Sequence, residues 1–209
     1  MASTPHRRLA GARRARGTPA ETRTRLVAAA AAVFNRDGYH GTDSNRLARA
    51  AGYAPGTFYK HFPDKRAVLL AAYEEWVNGE WAAIEMQVRA GGDPAALAAR
   101  IVDLVLALHR RWRGLRSSVL ALVATDPIVR RFYRAQRRRQ LQLLQQLRAA
   151  LHGPRRTAAE DAVLLYTLER TCDAVANGEL DDLGLSRAAT VRVLRTRVQQ
   201  HVAPAERRR

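Results

Sequence analysis

From Glu21 onward, apolar residues recur at helical spacing. Leu26, Ala29, Ala30, Val33 and Phe34 fall on one face of a first helix that stops at Asp37-Gly38. Thr42-Asp43 supplies an N-cap for a short second helix carrying Leu47, Ala48 and Ala51, which Gly52 closes. Pro55 opens a third, with Phe58 and Phe62 four apart on one face and an end at Phe62. Pro63-Asp64 stops that helix and caps a long fourth one, running through Leu69, Tyr73, Trp76, Val77, Trp81 and Ile84 to about Val88.

Start signals continue beyond it. Asp93-Pro94 and Asp126-Pro127 each set an acid before a first-turn proline, and Thr157 with Glu160 forms a capping box. Ser186 caps the last helix. No stretch alternates with period two, so the expectation is an all-α fold of about nine helices. Residues 1–20, with five arginines and almost no large apolar side chain to bury, read as a disordered basic arm. Residues 21–66 form a first helical domain, and 67–209 a larger helical one.

Charge changes the picture. The 209 residues carry 36 Lys/Arg against 19 Asp/Glu, a net +17. Residues 1–66 hold 13 of these cations and four acids, so the surplus is densest there. Such a surplus attracts polyanions, nucleic acid first among them. The single cysteine, Cys172, excludes an intrachain disulfide and reads as a buried packing residue. No apolar run reaches transmembrane length, and no secretory leader is visible, so the expected location is cytoplasmic, with no membrane partner. There is no Ser/His/Asp arrangement, Gly-rich phosphate loop or metal cluster. An enzyme, a metal and a cofactor are therefore not expected, and Asp181-Asp182 reads as a solvated loop.

The second and third helices, joined by Ala51-Gly52-Tyr53-Ala54, make a helix-turn-helix. Its second member presents Thr57, Tyr59, Lys60 and His61, hydroxyls and cations suited to phosphates and base edges. The stretch from Leu47 to Lys65, LARAAGYAPGTFYKHFPDK, resembles the DNA-binding signature of the TetR family of transcriptional regulators, and Phe34, Gly38, Tyr39 and Thr42 match in spacing.

The resemblance implies a homodimer, paired through its last two helices, that binds double-stranded DNA at a palindromic operator. It also implies a repressor released by a small-molecule effector. An architectural DNA binder, or an activator without an effector, is the competing reading. Carried over by position, Thr57, Tyr59, His61 and Lys65 fall at phosphate contacts. Ala54, Pro55, Gly56 and Lys60 face the groove, and Ser44 and Asn45 lie near the first turn of the second helix. Ala54 stands where the family usually places a serine cap.

The larger domain carries no transferable motif. Trp76, Trp81, Met86, His109, Trp112, Phe132, Tyr133 and Tyr166 are the candidates for lining an effector cavity. His109 otherwise reads as a partly exposed helix-end histidine. Arg130, Arg131, Arg134, Arg137, Arg138 and Arg139, crowded on one helix, read as a solvated face.

Overall fold

A computed structural model describes residues 18–202, so the basic arm expected over residues 1–20 lies, up to residue 17, outside the described residues. The described residues form ten helices and no strand. They are α1 (Pro19–Asp37), α2 (Ser44–Ala50), α3 (Pro55–Tyr59), α4 (Lys65–Arg89), α5 (Pro94–Arg111), α6 (Arg113–Thr125), α7 (Pro127–Ala150), α8 (Ala158–Asn177), α9 (Glu179–Asp182) and α10 (Arg187–Val202).

The expected caps are present. Asp43, Asp64, Asp93 and Asp126 each accept backbone N–H bonds from the first turn they precede, and Thr157 closes its box with Glu160. Three differences stand out. α1 begins at Pro19 because Thr18 and Glu21 form a reciprocal capping box, so the arm ends earlier than residue 20. α3 stops at Tyr59, with Lys60 as its C-cap. Asp181-Asp182 belongs to the one-turn helix α9, entered through the left-handed Gly178, and Asp181 pairs with Arg187.

α1, α2 and α3 close around Leu26, Phe34, Leu47, Ala48 and Phe58, all fully buried, with Val68 and Leu69 of α4 as the floor. α4 is shared: it packs on α1 and also against α5, α6 and α7. At 25 residues it spans roughly 37 Å. α10 lies on α5 and α8, while α6 and α7 bridge back toward α1 and α4.

Candidate nucleic-acid interface and buried polar centre

The turn between α2 and α3 is built locally. Gly52 takes φ 78°, a conformation that favours glycine, and the Tyr53 N–H donates to Ala48 O at 2.9 Å. Phe58 and Phe62 face inward, ring centres 5.8 Å apart. Asn45, Ala54, Pro55, Gly56, Tyr59 and Lys60 are exposed, and Ser44, Thr57 and His61 are half-buried. These residues lie along α2, the turn and α3, with no acid among them. Ala54 makes no side-chain cap bond, as the substitution of a serine would require.

Lys65 stands apart from that group. Its ammonium donates to Tyr39 O at 3.0 Å and Thr42 O at 2.9 Å, and lies 4.3 Å from the Tyr39 ring centre. Two of its three donors thus fasten the α1–α2 connection to α4.

The two regions meet at joints that the sequence reading passed over. The Asn35 side chain at the end of α1 accepts from Gly114 N at 2.9 Å and Leu115 N at 3.2 Å, and donates to Arg111 O at 2.8 Å. α6 has no side-chain cap of its own, so a residue at the end of α1 caps it. A Cβ at Gly114 would overlap the Asn35 backbone. Arg66 in the first turn of α4 donates to Asp126, the cap of α7, at 3.0 Å, and that hydrogen bond holds the Asp126 carboxyl below its ordinary range.

Inside the larger region lies a polar centre. Arg116 of α6 donates to Glu169 at 2.9 Å and to Asp173 at 2.6 Å, both on α8. Arg137 of α7 donates to Glu169 and to Tyr133, and to Gln140 at 2.9 Å. His109 Nδ1 lies 2.9 Å from Asp173, and its Nε2 lies 3.7 Å from Glu80 Oε2. Burial alone would raise Glu169, but Arg116 and Arg137 outweigh it and hold its carboxyl below the usual range. Burial likewise opposes the ionisation of Asp173, yet the His109 and Arg116 hydrogen bonds bring it down to about 2. Glu80 has no such help: burial pushes it up to about 8, and the negative charge of Glu169 adds to the rise.

Several expectations are corrected here. His109 is 1% exposed and part of the centre, because Asp173 meets its Nδ1 inside the protein. Arg137 is buried, since Glu169 answers its charge, and Arg130 turns back to the Val123 and Ala124 carbonyls at the end of α6. Arg131, Arg134, Arg138 and Arg139 are exposed as expected. Met86 is 63% exposed: at about 100° per residue it lies well off the Trp76–Glu80–Ile84 face. Tyr166 is also exposed. Trp76 and Trp81 are buried, Phe132 and Tyr133 gather half-buried around Tyr73, and Trp112 is half-buried at the α5–α6 junction. Cys172 is buried, as expected.

Glu80, Arg116, Glu169 and Asp173 were missed. A signal existed for Glu80, which sits four residues from both Trp76 and Ile84 on the apolar stripe of α4.

The arrangement defines a two-part all-helical protein, with a basic helix-turn-helix at one end and a charged interior at the other. Residues 26–72 match the family model described as bacterial regulatory proteins, tetR family. The helix-turn-helix-type transcriptional regulator UidR of Escherichia coli is 36% identical over 50 residues, which are 24% of this chain and 26% of that protein. The matched stretch thus spans about a quarter of that relative.

Solved structures resemble nearly the whole chain. A transcriptional regulator from Saccharomonospora viridis in complex with choline shares 22% identity at a TM-score of 0.63, covering 86% of this chain and 94% of its own. The regulator FadR of Bacillus subtilis in complex with stearoyl-CoA shares 16% at 0.62, covering 88% and 99%. Residues 26–72 thus match the DNA-binding region of the tetR family, and the chain as a whole shares the fold of these solved regulators.

Proposed function

We propose that the protein is a sequence-specific DNA-binding transcriptional regulator, a repressor that leaves its operator when a small molecule occupies the larger helical region. The observation that carries this reading is α4, one uninterrupted helix. Its first residue anchors the loop before α2, and its middle supplies Glu80 to the buried centre. Anything that shifts the centre shifts the helix on which the reading domain rests. Asn35 and Arg66 add two further mechanical ties. That relatives of this fold were solved with choline and with stearoyl-CoA supports a ligand-holding role for the larger region.

DNA is met by the outer face of α3. Tyr59 and Thr57 supply hydroxyls for phosphates, and Lys60 and Pro55 approach base edges. A homodimer places two such faces on a palindrome, half-sites about 34–36 Å apart or a multiple of that. Val163 and Tyr166 of α8 and Val193 of α10 are exposed apolar side chains on the last two long helices, where a partner copy would cover them. No helix among the described residues is long and apolar enough to cross a membrane, in keeping with action on DNA in the cytoplasm.

The test is selection of bound fragments from random duplex DNA, followed by light scattering of the protein. A palindromic motif and a dimer mass are expected. A featureless fragment pool would return the protein to the architectural reading, and a monomer bound to a single half-site would remove the dimer.

A further inference from the structure

We propose that the slot beside Glu80 takes a monocationic organic amine, an ammonium head on an apolar body, and that this amine is the effector class. The second clause rests on the regulatory reading above. The slot, about 50 Å³, is walled by Trp81, Ile84, Val105, Leu144, Leu165 and Val198 from five helices. Its polar lining consists of two carboxylates, Glu80 and Glu169.

These two differ in one respect. The charges around Glu169 and Asp173 are matched by Arg116 and Arg137, and each of the four groups is hydrogen-bonded to another. Glu80 is 5% exposed, and its Oε2 has no hydrogen-bond partner. The group nearest to it, His109, keeps Nδ1 on Asp173 and leaves Nε2 unpartnered as well. Two buried polar atoms 3.7 Å apart therefore lack partners at the head of an apolar slot. With Nδ1–H donating to Asp173 and Glu80 ionised, both atoms are acceptors, and one ammonium nitrogen carries donors enough for both.

Buried charge is tolerated when it is paired. A proton on Glu80 neutralises it in the empty slot, and burial favours that state by raising the carboxyl to about 8. A cation replaces that proton. An anionic ligand meets two carboxylates, while both guanidinia are held by Glu169 and Asp173. The groups facing Glu80 are His109 on α5, Arg116 on α6, Arg137 on α7, and Glu169 and Asp173 on α8. Of these, Glu169 and Asp173 disfavour its ionisation, and Arg116 and Arg137 favour it.

An approach exists between α4 and α7. A groove of about 470 Å³ there shares Trp81, Val88 and Leu147 with the slot, and its charged lining is Glu85, paired with Arg89 at 2.7 Å, and Arg139. Trp81 lines both spaces and its indole N–H has no partner, so entry of the apolar body requires this side chain to rotate and join them.

The probes are phenylbutylamine, phenylbutanol and phenylbutyrate, titrated calorimetrically into the full chain and into Glu80→Gln at neutral pH. In the wild type the amine binds about tenfold or more tighter than the alcohol, the scale of one buried charge pair. The carboxylate binds weakest. Amine binding releases up to one proton, read from its heats in two buffers of different ionisation enthalpy. In Glu80→Gln the alcohol still binds, while the amine preference and the proton release are lost.

Equal binding of amine and alcohol, an unaltered preference in Glu80→Gln, or no binding by any of the three overturns the proposal. Should the variant not fold, the wild-type preference and proton release decide alone. The regulatory reading fails separately. Amine held through Glu80 with no effect on affinity for a selected DNA fragment keeps the site and removes the effector role. Release from DNA that persists in Glu80→Gln keeps an effector role and removes the site.

Discussion

The reading domain and the larger region solve opposite problems with the same residue types. Around α1–α3 the interior is apolar and the charges point outward: Leu26, Phe34, Leu47 and Phe58 are fully buried, while Tyr59 and Lys60 face solvent. Beyond α4 the arrangement inverts in part. Arg116, Arg137, Glu169, His109 and Glu80 are all buried, and exposed apolar side chains such as Val163 and Val193 sit outside. A surface that meets a polyanion needs mobile, solvated cations. A centre proposed to bind a small molecule needs charges whose balance a single guest can change. What the contrast teaches is that net charge describes the first region well and says little about the second.

The sharpest way to break this contrast is to remove a buried partner. Arg116→Met leaves Glu169 and Asp173 short of a cation and should cost about 3–5 kcal/mol of stability, measured by urea unfolding. A loss below about 1 kcal/mol would mean the centre is solvated like a surface pair. The joint between the regions comes next. Asn35→Ala leaves the Gly114 and Leu115 N–H groups without their acceptor and should cost about 1–3 kcal/mol. Differential hydrogen exchange should place the effect at the start of α6, and exchange spread evenly over the chain would remove the capping role.

A third test uses pH. The folded Glu80 pKa of about 8 lies above its ordinary 4.5, so between these values the folded state binds more protons than the unfolded one. Its contribution therefore favours folding below that window and is lost as pH rises through it, by up to about 1.4 kcal/mol per pH unit. Asp173 acts in the other direction, its support being present above its ordinary range and lost as pH falls toward about 2. Thermal unfolding from pH 5 to 8 should show a downward slope that Glu80→Gln flattens. Equal slopes in both proteins would contradict an unpaired Glu80.

The smallest effects belong to the reading surface. Tyr59→Phe should leave stability unchanged and weaken DNA binding by about 0.5–1.5 kcal/mol on every sequence, as loss of one phosphate hydrogen bond would. Lys60→Ala should instead alter the preference at one operator position.

Legibility in the sequence follows the same division. Caps and faces are local, so nearly every helix boundary from Asp37 onward could be read from residues within one turn. The helix-turn-helix was readable because its glycine turn, inward phenylalanines and outward hydroxyls lie within twenty-odd residues. The polar centre was not, because Arg116 meets residues more than fifty positions away. Spacing did separate Arg137, which lies four after Tyr133 and seven before Leu144 on the buried face of α7, from the exposed Arg138. It did not reveal the distant Glu169 that answers its charge. The Thr18–Glu21 capping box was legible and was passed over in favour of the basic composition around it. α9 carried no helical period, since four residues are too few to show one.

The central claim is that α4 couples the buried centre to the DNA-reading face. Linkage tests it most directly: phenylbutylamine affinity is measured with and without a saturating selected DNA fragment, and DNA affinity with and without saturating amine. Each ligand should weaken the other by the same factor, on the order of 5- to 150-fold. Two affinities that ignore each other, with both ligands bound at once, would contradict it.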